Sequence, residues 1–319
     1  MLEHLHIRNY RLFKSLELDK LRRINLITGK NNTGKTTILE VIRILESNAN
    51  PSVVNDILRK RDAFDKTSST KEVFQSLFYK DFAVFELNAL VIENNRGEIT
   101  KLNGYTGFDK IKNGDKNPER ESLGSLSSID DYAWDKVVFV PTSLDFDNTN
   151  LWKKIDLSPR KRKVIEMLSV IEKKIVDVGL DIETKKPRVL LRNEESPLPL
   201  KNLGEGTNRI FTIALALVNA QNNILLIDEI DLGLHHSVQK KLWEIIFRFS
   251  KELNVQVFAT THSQDCVATF AEVWDNEENK NEGNYIRLQR NRLDNDIIEP
   301  VYYNEQMLLG SVYDNLETR

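Results

Sequence analysis

The chain has 319 residues, 40% of them hydrophobic and 29% charged, enough to bury a large core in one elaborated domain or two small ones. A formal net charge of −3 excludes any global attraction to nucleic acid, so contact with DNA would rest on a local patch. A single cysteine, Cys266, excludes an intrachain disulfide framework, and no stretch reaches the roughly 18 apolar residues that a membrane span needs.

The opening residues alternate Leu2, Leu5 and Ile7 with polar neighbours and continue to Leu16 and Leu18, which predicts a strand pair. Glu3, Arg8, Arg11 and Lys14 interrupt this stretch, so it lacks the apolar core of a signal peptide, and a cytoplasmic chain is expected. Ile24 to Ile27 form a short apolar run ending at Thr28-Gly29. From Lys35 the spacing turns helical through Ile38, Leu39, Ile42 and Leu45. The order is strand, glycine loop, helix.

Pro51 to Lys80 reads as mostly helical and polar. Phe82 to Ile92 and Glu98 to Leu102 read as a hairpin turning at Asn94 to Gly97. The segment 103–131 is crowded with Gly, Asn, Lys and Ser and is expected to be a long mobile loop. Lys136 to Val140 is a buried-strand run stopped by Pro141.

Beyond it a helical pattern runs from Arg160 towards Val178, with Val164, Ile165, Leu168, Ile171 and Ile175 on one face, before a strand at Val189 to Leu191. The basic run Arg160 to Lys163 reads first as a solvated helix face and second as a DNA patch. The last third alternates: helix at Phe211 to Ala220, strand at Ile224 to Ile227, helix at Val238 to Leu253, strand at Val255 to Ala259. A hairpin near Tyr285 to Ile298 and a short helix follow. Such alternation predicts an α/β fold with a largely parallel sheet covered by helices.

Gly29-Lys30-Asn31-Asn32-Thr33-Gly34-Lys35-Thr36 satisfies every fixed position of the G-x-x-x-x-G-K-[ST] phosphate loop, between a strand and a helix as the motif requires. Its glycines let the backbone close round phosphates, which also meet the positive end of the helix. Lys35 is expected on the β- and γ-phosphates of ATP and the Thr36 hydroxyl on Mg²⁺, with Asn31, Asn32, Thr33 and Thr37 completing the loop's contacts.

Ile224 to Ile227 end in Asp228-Glu229, which places two carboxylates at the tip of a central strand, the edge where open α/β sheets bind ligands. Asp228 is expected in the Mg²⁺ shell and Glu229 as the group that orients or deprotonates the attacking water.

The order phosphate loop, Leu203-Gly204-Glu205-Gly206-Thr207, Asp228-Glu229, then Thr260-Thr261-His262-Ser263 resembles the ABC-type ATPases. Leu234-His235 after the acids, Val140-Pro141-Thr142-Ser143 and Leu151 to Ile155 are similar to their OLD (overcoming lysogenization defect) group. The resemblance implies one ABC-type domain over 1–319, with an antiparallel β subdomain, the inserted loop near 103–131 and a helical lobe near 151–200.

It also implies that His262 senses the γ-phosphate and that Gly204 and Gly206 bind the γ-phosphate held by a second copy, giving a homodimer with ATP between its subunits and room for a higher assembly. Gly204 and Glu205 depart from the usual Leu-Ser-Gly-Gly-Glu spelling. Thr142 or Ser143 stands in for the usual glutamine, and Arg11 resembles the N-terminal basic residue of SMC-like ATPases. Adjacent His235 and His236 do not project to one side of a helix, so paired metal ligation is not expected.

The residues after His262 are too few for a Toprim nuclease. The resemblance therefore implies an ATP-gated regulator or sensor in bacterial anti-phage defence, partnered by a separate effector, a nuclease or toxin. The alternatives are a RecF- or SMC-like repair ATPase that clamps DNA, and a nucleotide-gated scaffold with little turnover.

Overall fold

A computed structural model describes residues 1–47, 49–60, 76–79, 90–95, 99–103, 107–111, 119–121, 136–181, 183–204 and 206–313. In chain order these carry β1 (Leu5–Tyr10), β2 (Phe13–Leu18), β3 (Ile24–Gly29), α1 (Lys35–Glu46) and α2 (Pro51–Arg59). Four strands follow: β4 (Leu90–Asn94), β5 (Ile99–Asn103), β6 (Gly107–Ile111) and β7 (Glu119–Glu121). Next come β8 (Val137–Val140), α3 (Thr149–Lys153), α4 (Lys161–Ile171), β9 (Ile175–Leu180), β10 (Pro187–Leu191) and β11 (Leu198–Pro199). The remainder is α5 (Thr207–Asn219), β12 (Ile224–Ile227), α6 (His236–Glu252), β13 (Gln256–Thr260), α7 (Gln264–Trp274), β14 (Gly283–Arg290), β15 (Ile298–Tyr303) and α8 (Glu305–Tyr313).

The chain divides into two compact units. The first comprises Met1–Arg22, Thr28–Val137 and Ile286–Tyr302; the second comprises Arg23–Ile27, Val138–Tyr285 and Tyr303–Arg319.

The first unit holds an antiparallel sheet in the order β2-β1-β4-β5-β6-β7. Its β1–β2 hairpin sets Leu5 opposite Leu18 and Ile7 opposite Leu16, all buried, while Arg8 and Ser15 face water. That alternation is the half-buried strand pattern read from the sequence. Helix α1 is buried almost throughout, and Arg43 in its last turn donates to Asp56 of α2 at 2.6 Å. Asn50 caps α2 by accepting from the Ser52 amide, with Pro51 in the first turn, where its missing N–H costs nothing.

The predicted hairpin is present as β4 and β5, paired Leu90 to Leu102; residues 81–89 and 96–98 lie outside the described residues. The segment 103–131, expected as a loop, contains β6 and β7, in register Phe108↔Glu121. Antiparallel pairing satisfies backbone groups whatever the side chains, so a run with few apolar residues still makes strands at a sheet's far edge. The rest of that segment lies outside the described residues.

In the second unit β3, through Ile27, runs parallel to β13, and β13 runs parallel to β12, with β8 beyond β12. The four residues of β12 and the five of β13 are all buried, as strands covered on both faces must be. Helices α5, α6 and α7 supply the cover, with Trp243 edge-on to Phe270 at 4.9 Å between ring centroids.

The lobe near 151–200 is only half helical: α3 and α4 are followed by the three-stranded sheet β11-β10-β9. Helix α4 stops at Ile171, where Glu172 turns extended, so Ile175 and Val178 are strand residues. A register shift between Leu190 and Leu191 lets both, three residues apart, point inward.

Lys161 and Lys163 of the basic run pair with Asp177 and with Glu166 and Glu252. Their charge is matched locally, as the solvated-face reading expects. Among the described residues no helix is long and apolar enough to cross a membrane.

Candidate functional site

The phosphate loop belongs to the first unit and leaves the end of β3. Gly29 (φ 147), Asn32 (φ 61) and Gly34 (φ 92) take left-handed backbone, which wraps the loop tightly before α1 begins. A Cβ at Gly29 would stand 2.6 Å from both the Leu288 carbonyl oxygen and Thr33 Oγ1.

Lys35 is buried, with Nζ donating to the Gly29 carbonyl at 2.9 Å, so its cation already points into the loop. Thr33 Oγ1 donates to the Lys30 carbonyl at 2.8 Å, and Asn31 and Asn32 are exposed. Thr36 is half-buried and Thr37 buried. Arg290, on β14, supports the loop from outside by donating to the Asn32 carbonyl at 3.3 Å. No motif in the sequence marks it.

At Gly34 an added Cβ would meet the Phe13 ring at 2.4 Å, and φ 92 disfavours any side chain. Gly34→Ala is therefore expected to lose about 1–3 kcal/mol of stability and at least about tenfold in ATP affinity. Thermal denaturation and titration with a fluorescent ATP analogue check this; wild-type values for both would refute it.

Arg11, itself left-handed (φ 49), turns its side chain onto α1, where Nε lies 3.2 Å from Glu40 Oε2. Burial works against its charge, but Tyr10 and Glu40 outweigh it and hold the guanidinium pKa above the ordinary value. Only 11% of the side chain is exposed.

The second unit gathers the acids. Asp228 is buried at the end of β12 and accepts from two hydroxyls, Thr142 Oγ1 at 2.9 Å and Thr260 Oγ1 at 2.6 Å. Thr142 thus reaches the acid itself. Glu229 has φ 49, a left-handed conformation that costs a non-glycine residue roughly 1–3 kcal/mol. Its amide donates to Thr260 Oγ1 at 2.9 Å, and its Oε2 lies 2.6 Å from His262 Nδ1. The direction of that bond depends on the imidazole tautomer. Thr261 Oγ1 donates to Asp231, which pins the turn carrying His262.

Gly204 (φ 129) is exposed, and Gly206 forms the N-cap of α5 with no side-chain cap. Thr207 Oγ1 donates back to the Gly204 carbonyl at 2.6 Å, which closes the turn. His235 caps α6 by accepting from the Ser237 amide, a structural task.

Arg209 has no place in any motif, yet it lies at the centre of this unit's polar cluster. Burial pushes its pKa down to about 10, against the pull of Asp228, Asp231 and Glu229, and it remains a cation at neutral pH.

A family model described as "AAA domain, putative AbiEii toxin, Type IV TA system" matches residues 24–265. The chain belongs to this family. Its fold is the SMC head-like fold of P-loop ATPases. An "ATP/GTP phosphatase" of Helicobacter pylori is 21% identical over 362 residues, covering 96% of this chain and 97% of that one. The "DNA replication and repair protein RecF" of Rickettsia massiliae is 24% identical, covering 83% and 79%. The SMC head domain from Thermotoga maritima has the same fold, with a TM-score of 0.55 at 14% identity over 95% of this chain and 99% of that one.

Proposed function

We propose that the chain is an ATP-hydrolysing switch in which Glu229 activates the attacking water. One observation carries the reading: the Glu229 carboxylate, on a left-handed backbone at a central strand end, meets His262 at 2.6 Å. A general base needs a fixed carboxylate: His262 meets the Glu229 carboxylate itself, and Thr260, which donates to Asp228, holds the Glu229 amide behind it.

In this reading Lys35 and the amides of Gly29 to Thr36 hold the β- and γ-phosphates, with Asn31, Asn32, Thr33 and Thr37 beside them. Mg²⁺ is assigned to the Thr36 hydroxyl and to Asp228. Both are hard oxygen donors, which suits this ion, and the two hydroxyls on Asp228 fix the orientation of its carboxylate. When bound, Mg²⁺ neutralises charge on the phosphates. His262 is assigned to the γ-phosphate and Arg11 to the nucleotide.

Gly204, which is exposed, and Gly206, which opens α5 with no side-chain cap, are assigned to the γ-phosphate held by a second copy. The working form is then an ATP-gated homodimer. Its biology, an OLD-like regulator or sensor in anti-phage defence with a separate effector, is supported by the Leu234-His235 spelling. The family description, which names a toxin of a toxin–antitoxin system, supports it too.

The RecF relatives favour a second reading, an ATPase that clamps DNA. Phosphate release by the purified chain, with and without duplex DNA over a range of salt, separates the two. The first expects turnover indifferent to DNA. Stimulation of about tenfold that fades steeply with salt would replace it with the clamp. Absence of ATP turnover would refute the hydrolytic switch itself.

A further inference from the structure

The first turn of α5 carries Arg209 into the unit's interior, where among the described residues the side chain meets no carboxylate directly but a ring of carbonyl oxygens. Nη1 donates to Pro141 at 2.9 Å and Ser143 at 3.4 Å. Nη2 donates to Asp228 at 2.7 Å and Glu229 at 3.0 Å. The four terminal N–H groups of a guanidinium are thus matched to four acceptors at the ends of two neighbouring strands, β8 and β12. Nε is buried and has no partner among the described residues, so the group is placed for these carbonyls at some cost to itself.

Two of the four flank the peptide that makes Glu229 left-handed. The Glu229 amide is held by Thr260 and the carbonyls on either side by Arg209, so every polar group of the strained backbone has a donor or acceptor fixed against it. Strain of this kind persists only where the surroundings over-determine it.

We infer that Arg209 is a positioning residue, which clamps the Asp228–Glu229 backbone and so aims the Glu229 carboxylate at its water. The inference rests on the reading of Glu229 as the general base. A lysine cannot replace it, because a single ammonium at the end of a flexible stem does not span acceptors on two strands, although it retains the charge.

The test is a double-mutant cycle. Arg209→Lys and Arg209→Gln are made in the wild type and in Glu229→Gln, and thermal stability, ATP affinity, kcat and KM are measured for each. In the wild-type background kcat should fall about 10- to 100-fold, with ATP affinity and KM within about twofold. In the Glu229→Gln background the same changes should cost less than about twofold, because a clamp that acts through Glu229 has nothing left to aim. A full repeat of the loss in that background would overturn the inference, as would a loss that appears in KM. Failure of both variants to fold would overturn it in favour of a purely structural arginine. Failure of the general-base reading shows separately, as wild-type turnover in Glu229→Gln alone.

Discussion

Glu229→Gln should bind ATP with wild-type affinity and release phosphate at roughly one-hundredth of the wild-type rate or less, the loss expected when a general base is removed. The amide is nearly isosteric with the carboxylate and can still meet His262, now 2.6 Å from Oε2, so binding and fold should survive while proton abstraction does not. Stability should hold as well, because the left-handed backbone is fixed by contacts to the peptide and not to the side chain. Lys35→Ala provides the contrast. Its ammonium lies inside the loop on the Gly29 carbonyl, and its removal should weaken ATP binding itself. The check is phosphate release alongside binding of a fluorescent ATP analogue. Wild-type turnover by purified Glu229→Gln would remove the residue from the chemistry.

The two halves of the candidate site were legible for different reasons. The phosphate loop is read from residue types alone, because Gly29, Gly34, Lys35 and Thr36 stand together and the backbone angles demand two of them. The acids are read from position: four apolar residues must be buried, and whatever follows them emerges at the strand end. His262 needed the resemblance, since a lone histidine after a strand has many uses. Its 2.6 Å approach to Glu229 depends on two strand ends far apart in sequence.

Arg209 was invisible for the same reason. In Thr207-Asn208-Arg209-Ile210-Phe211 it reads as the polar face of a helix, and only acceptors from 141–143 and 228–229 make it interior. Thr142 and Thr260, small polar residues at strand ends, gave no sign that both would grip Asp228. The error at 172–178 has a specific cause too. Ile171, Ile175 and Val178 fit a helical face at spacings of four and three, and a bulge in β9 reproduces the spacing of three on one face of a strand. Hydrophobic periodicity cannot separate those cases, and the extended Glu172 decides between them.

Two inactive variants should restore each other if ATP is shared between subunits. Lys35→Ala lacks the phosphate clamp. Gly206→Asp sets a carboxylate at the N-terminus of α5, where the resemblance places a neighbour's γ-phosphate, and neither should hydrolyse ATP alone. In a mixed dimer one site inherits both lesions, but the other takes Lys35 from the Gly206→Asp chain and Gly206 from its partner, and is intact. Mixing the purified proteins should therefore recover ATP-dependent dimers and up to about half the wild-type rate per mixed dimer, as one of two sites functions. The substitution is sterically close at this position: φ −73 suits any residue, but a Cβ would stand 2.7 Å from Leu234 Cδ2 and 3.1 Å from the Gly233 carbonyl oxygen. The Leu234 methyl has to move, and a thermal melt of the variant shows whether it does so without unfolding. Asn202→Glu guards against that failure, because it places a carboxylate on the same segment at an exposed residue. Recovery with either partner supports the composite site. Neither dimers nor product from both mixtures, under conditions where the wild type gives both, would refute it, as would normal hydrolysis by Gly206→Asp as a monomer.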